Sequence, residues 1–155
     1  MKYIRREYSL AIGERTGEEL KVEVGTAYLP GAVDKSTEIR GRDMLSGLPR
    51  AIKVCRRQVH EAIKETLDLL VAGVKEVLER TAPELAADII NKGIVMTGGG
   101  SLLDGIDRLI SEETGLPVYI AEDPISCVAK GTGYAVNTIG ILSASSKRKG
   151  LKKIV

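Results

Sequence analysis

The chain has 155 residues, 43% apolar and 28% charged, with a formal net charge of +2 at pH 7. That length accommodates one ordinary domain or a pair of small subdomains with a buried core, and so small a charge argues against nucleic acid as the main partner. No apolar run approaches the roughly 18 residues of a membrane span and the first residues lack a signal-peptide apolar region, so the sequence reads as a soluble intracellular chain.

Ile4, Tyr8, Ala11 and Ile12 recur at helical spacing, which predicts a helix from the outset, ended by Gly13 and with no capping residue ahead of it. A chain that starts inside a helix suggests that something upstream is missing. Thr16-Gly17-Glu18-Glu19 has the form of a capping box and predicts a second, short helix running to about Val24-Gly25. From Tyr28 the period changes. Thr37–Asp43 reads as a strand, Gly47-Leu48-Pro49 as a turn and Ala51–Val54 as a return strand, which together make a β-hairpin. The longest helix follows, from about Arg57 to Arg80, with Val59, Ile63, Leu67, Leu70, Val74 and Val77 as its apolar stripe. Thr81 is placed to cap the next helix, with Pro83 in its first turn.

Beyond Gly93 the order is strand, helix, strand, helix. Ile94-Val95-Met96 leads into three consecutive glycines, Gly98, Gly99 and Gly100, and a helical pattern begins at Leu102, with Ser101 and Asp104 available as caps. Strand, tight turn and helix start in that order form a backbone cradle suited to a phosphate or nucleoside. Leu103 stands where G-x-G-x-x-G needs its last glycine, and no P-loop Gly-Lys-Ser/Thr follows. From these residues alone, a nucleotide contact and a ligand-free turn are equally good readings. Val118–Ala121 is the second strand, and Asp123-Pro124 predicts a helix to about Ile139. Residues 143–155 form a basic, small-residue tail. Cys55 and Cys127, far apart and without His or further Cys nearby, read as reduced, packed thiols. His60, the only histidine, sits beside the apolar stripe of the long helix and reads as a surface or partly packed residue.

Several blocks carry a resemblance. They are Ile12-Gly13-Glu14-Arg15-Thr16, Glu38–Asp43 with Gly47-Leu48-Pro49, Pro83–Ile90, Thr97–Leu103, and Ala121–Pro124 with Val128–Gly133. In this order the sequence resembles the C-terminal half of MreB/Mbl, the bacterial actin-like rod-shape proteins. The resemblance implies an α/β fold, part of domain II of an actin-like ATPase (RNase H-like). It would comprise a mixed sheet with flanking helices and an α+β insertion subdomain; with the domain's leading strands absent, Gly93–Thr97 and Val118–Ala121 would be parallel strands with an unfilled edge and exposed apolar surface. Residues 1–15 would be the end of a helix from the core subdomain, 16–80 the insertion, 81–142 the core subdomain with the glycine turn, and 143–155 the tail.

It also implies a site. The adenosine of ATP or ADP, bound with Mg2+ in the family, would lie between Gly17, Glu18 and Lys21 of the short helix and Gly98, Gly99, Gly100 and Ser101 of the glycine turn. Gly131 and Gly133 would serve close helix packing. The Asp-Gly phosphate loops, the metal-binding aspartate and the water-orienting acid belong to segments that this sequence does not contain. The chain alone is therefore expected neither to hydrolyse ATP nor to bind it tightly. The implied function is that of a filament that determines rod shape by organising cell-wall elongation. Its partners would be further copies, the full-length protein and the elongation machinery. It would be cytoplasmic at the inner membrane face, touching the membrane weakly or indirectly and binding no nucleic acid. The alternatives are a stand-alone nucleotide-binding regulator, or part of a plasmid-segregation filament or heat-shock chaperone.

Overall fold

The computed structural model describes residues 1–136 and 138. Helix α1 (Lys2–Tyr8) leads into the two-residue strand β1 (Leu10–Ala11), and α2 spans Glu14–Val24. The expected single helix to Gly13 is thus broken after Tyr8. Ser9 takes a left-handed conformation (φ 49°), which drops Leu10 into full burial and lets residues 10–11 pair with a neighbouring strand. Nor does the Thr16 capping box form. Extended backbone at Gly13 starts α2 earlier and leaves Thr16 inside the helix, while Glu19 accepts from Arg15 at 2.8 Å.

Strands β2 (Ser36–Asp43) and β3 (Pro49–Cys55) form the expected hairpin. Their register pairs Ile39 with Ile52 and Thr37 with Val54. Gly47 supplies the positive φ (75°) that the turn needs. Strand β1 adds antiparallel to β2, giving the sheet order β1-β2-β3. Gly41 permits that docking, since a Cβ there would sit 2.4 Å from the Ala11 carbonyl oxygen.

Helix α3 (Arg56–Glu79) follows β3 directly and spans both hydrophobic cores. Its N-terminal half adds Val59 to a core of Ile4, Leu10, Leu20, Val24, Ile39 and Val54. Lower down, Leu67 joins Ala27, Ile106 and Ile110, with Ile63 and Val74 packed beside them. The buried face departs from the expected stripe after Leu67. Val71 is buried and Leu78 half-buried, whereas Leu70 and Val77 are exposed. Steps of four and three residues (59, 63, 67, 71, 74, 78) keep one face turned inward along a helix of 3.6 residues per turn.

Helix α4 (Pro83–Lys92) carries Pro83 in its first turn as expected, but Ala82 is its cap. The Thr81 hydroxyl donates back to the Val77 carbonyl at 2.8 Å. Strands β4 (Ile94–Met96) and β5 (Val118–Ile120) pair in parallel. Between them lie a 3-10 turn (Gly99–Leu102) and α5 (Ile106–Thr114). Helix α5 therefore starts later than expected and is capped by Gly105 in a left-handed conformation, not by Ser101 or Asp104. Asp123 accepts from Lys130 at 2.7 Å and from Ser126, which hold its pKa below the usual carboxylate value. Residues 127–136 are helical, so this segment too begins later than Pro124. Its expected end at Ile139 and the 143–155 tail lie outside the described residues.

Val95 and Tyr119 of the β4–β5 pair are exposed, and so are Val128, Tyr134 and Val136 of the helical segment that follows. A Cβ at Gly131 or Gly133 would meet nothing within 4 Å, so packing among the described residues does not account for these two glycines as expected. No helix among the described residues is long and apolar enough to cross a membrane.

Candidate functional site

Helix α2 and the glycine turn, distant in sequence, face one another across a groove of about 730 Å3. Glu18, Lys21 and Val22 form one wall, Gly99, Gly100 and Leu102 the other, and α3 supplies an apolar floor through Ile63, Leu67 and Leu70. Glu18 and Lys21 sit one helical turn apart and pair at 2.8 Å, with both side chains substantially exposed. An ion pair in water adds little to stability. The carboxylate can therefore turn to hydroxyl donors, and the Lys stem can lie over an apolar ring, at little cost to the fold.

The turn itself divides into two parts. The Gly98 amide donates to the Pro124 carbonyl at 2.7 Å and the Ser101 amide to the Gly98 carbonyl at 3.2 Å. The Ser101 hydroxyl, almost fully buried, also donates to Gly98, at 2.7 Å. Ser101 thus closes the turn from inside and does not line the groove. The Gly99 and Gly100 amides meet no acceptor among the described residues. Gly98 needs its left-handed φ of 82°, but Gly99 and Gly100 have no such backbone requirement, and a Cβ on either would meet nothing within 4 Å. Nothing in the described chain itself explains why both lack a side chain. Gly17 faces a different cavity, beside Met1 and Tyr3, with Met1 Cγ 3.2 Å from where its Cβ would stand.

A node that the sequence did not reveal joins the two walls. The Asp104 carbonyl, next to the glycine turn, accepts from the Ala27 amide at 2.7 Å and, at 3.1 Å, from the Thr26 hydroxyl, which it shares with the Tyr28 carbonyl at 2.9 Å. The Asp104 carboxylate forms an ion pair with the Arg56 guanidinium at 3.1 Å; the Arg56 side chain, at the start of α3, is only 8% exposed. His60, half-buried, donates through Nδ1 to the Thr26 carbonyl at 3.0 Å. Gly105 is required here, because a Cβ would lie 2.9 Å from Tyr28 Cβ at a φ of 74°. Only Gly105 left a trace in the sequence, and an isolated glycine does not reveal which segment crowds it.

The family model described as MreB/Mbl protein matches residues 1–144. The chain belongs to the MreB/Mbl family. Cell shape-determining protein Mbl of Bacillus cereus is 53% identical over 148 residues, which are 96% of this chain and 44% of that relative. The chain therefore spans less than half the length of that curated family member. Among solved structures, MreB 5 of Spiroplasma citri bound to AMPPNP is similar with a TM-score of 0.86 at 36% identity, covering 94% of this chain and 43% of that one. The MamK double helical filament is similar in fold, with a TM-score of 0.64 at 19% identity over 80% of this chain and 38% of that one. The mixed helix-and-sheet architecture is thus part of an actin-like fold, as the sequence resemblance implied.

Among the described residues no group of three or more His, Cys, Asp or Glu is arranged to hold a metal ion. Residues that would hold Mg2+ are therefore not assigned in this chain.

Proposed function

We propose that the groove between α2 and the glycine turn is the adenosine side of an actin-like nucleotide cleft, and that the protein serves a cell-shape filament. The observation that carries this reading is the pair Gly99 and Gly100. Their amides have no acceptor among the described residues, their Cβ space is open, and they lie opposite Glu18 and Lys21. A ligand lying against the peptide plane accounts for glycine at both positions. Glu18 accepts from ribose hydroxyls, the Lys21 stem covers the base, and the two amides donate to it. Gly98 and Ser101 shape the turn from within, and Gly17 keeps α2 free of a side chain behind that wall. The AMPPNP named with the S. citri structure supports the choice of an adenine nucleotide.

On this reading residues 16–80 form the insertion and 81–142 the core subdomain, with α3 reaching from one into the other. Met44, Leu45 and Leu48 are exposed at the hairpin tip. Apolar side chains on a projecting turn suit head-to-tail contact with another copy, a heterologous geometry that builds filaments. The Bacillus relative is a cell shape-determining protein, which supports the role in cell shape; the cell-wall elongation machinery and the cytoplasmic membrane face complete the proposal.

Titration of the 155-residue chain with adenosine, ADP and ATP, followed by amide chemical shifts, tests the site. All three ligands are expected to shift Glu18, Lys21, Gly99 and Gly100 with similar weak affinity, because this chain supplies contacts to the adenosine and not to the β- and γ-phosphates. Shifts confined to other residues, or a large preference for ATP, would refute the assignment.

A further inference from the structure

The two walls of the groove belong to different parts of the chain. Helix α3, the core that Ala27 shares with Ile106 and Ile110 and the Tyr28–Glu112 hydrogen bond at 3.2 Å join them, and the node at Asp104 is the link that lies beside the glycine turn. One residue, adjacent to the glycine turn, is gripped through its carbonyl by Thr26 and Ala27, which follow α2, and through its carboxylate by Arg56 of α3. Thr26 is fully buried and Arg56 nearly so, whereas the Asp104 carboxylate is 59% exposed. The geometry points to Arg56 and Asp104 as positioning residues. Their ion pair, with the Thr26 hydroxyl, forms a latch that fixes the distance between α2 and the glycine turn and so sets nucleotide affinity. The affinity part rests on the reading of the groove given above; the distance part does not.

The chemistry suits a positional role. Arg56 occupies the first position of α3, where the helix dipole disfavours a cation, and its Nε has no hydrogen-bond partner. A buried guanidinium so placed is held by its one carboxylate, and removal of that partner leaves the charge uncompensated. The latch therefore acts through geometry between two elements and not through strong net stabilisation.

The test uses the 155-residue chain with Cys55→Ser and Cys127→Ser, carrying spin labels at Arg15→Cys on α2 and Leu102→Cys on the turn. Pulsed electron resonance reads the distance distribution between them. Arg56→Met and Asp104→Asn are each expected to broaden and lengthen it, and Thr26→Val to do so in part. The exchanged pair Arg56→Asp with Asp104→Arg is expected to restore it, since an acid at the first position of α3 agrees with the helix dipole. In unlabelled chains, a fall of the competent fraction to about a tenth weakens adenosine binding about tenfold. Global destabilisation would lower the melting temperature without the exchange restoring the distance. An unchanged distribution in both single variants, or failure of the exchanged pair to restore it while folded by circular dichroism, overturns the latch. A broadened distribution in variants of a chain that binds no adenosine would sustain the latch and sink the groove reading instead.

Discussion

Replacing Gly100 and Gly105 by alanine should move stability in opposite directions, although the two positions lie in one short segment. Gly100 has no left-handed φ and its Cβ would meet nothing within 4 Å. Alanine there restricts the unfolded chain and stabilises by about 0.4–1 kcal/mol. At about 2–4 °C per kcal/mol for a chain of this size, the melting temperature rises by roughly 1–4 °C. Gly105 has φ 74°, and its Cβ would lie 2.9 Å from Tyr28 Cβ and 3.1 Å from the Tyr28 amide nitrogen. The left-handed backbone costs about 1–2 kcal/mol and the overpacking at least about 1 kcal/mol more. The melting temperature then falls by roughly 4–12 °C. Binding should follow the other order at Gly100. A methyl group in the adenosine cradle costs roughly 1–3 kcal/mol, about 5- to 150-fold in affinity. Thermal melts by circular dichroism and adenosine titration by amide shifts read the two effects independently. A Gly100→Ala chain that melts well below the parent would mean that the glycine is structural. One that melts higher but binds adenosine unchanged would mean that the cradle takes no ligand.

Asp43 accepts from the Ser46 and Leu45 amides at 2.9 and 2.8 Å, and these bonds, with Arg50 alongside, hold its pKa below the usual carboxylate value. Its contribution to hairpin stability is therefore complete above the ordinary carboxylate range and is lost as pH falls through the lowered folded value. Amide exchange at Leu45 and Ser46, corrected for intrinsic rate, should accelerate over that acid interval, and Asp43→Asn should abolish the pH dependence. On α3, Val71→Ala should cost about 1–3 kcal/mol in urea unfolding and Leu70→Ala under about 1 kcal/mol. The reverse order would show that the helix buries the face expected from the sequence.

The elements with strong local signals were legible. Alternation and Gly47 gave the hairpin, 3.6-residue periodicity gave α3, and short apolar runs bounded by glycine gave strands β4 and β5, whose parallel pairing the resemblance implied. Strand β1 was not legible, because two residues carry no period. The outcome there rests on the left-handed Ser9 and on Gly41 admitting the Ala11 carbonyl. Thr16 looked like a cap because its box is intact in sequence, yet helix initiation at Gly13 needs only extended backbone and so began first. The late members of the α3 stripe were misjudged because Leu70 and Val71 are both apolar. Which of them turns inward depends on how α3 packs on the rest of the fold, which neighbouring apolar residues do not encode.

By itself, the sequence determined the family, through motif blocks in a fixed order; it showed the glycine turn, because glycines are written locally, and through the resemblance it named Glu18 and Lys21 opposite. Tertiary structure alone decided which of those glycines are free. Packing uses Gly98 and Ser101 to build the turn and leaves Gly99 and Gly100 open toward Glu18 and Lys21. It also created the Arg56–Asp104–Thr26 node, whose members are distant in the chain and carry no mutual signal. Contacts between segments so far apart depend on how the two cores dock along α3, and no local pattern encodes that.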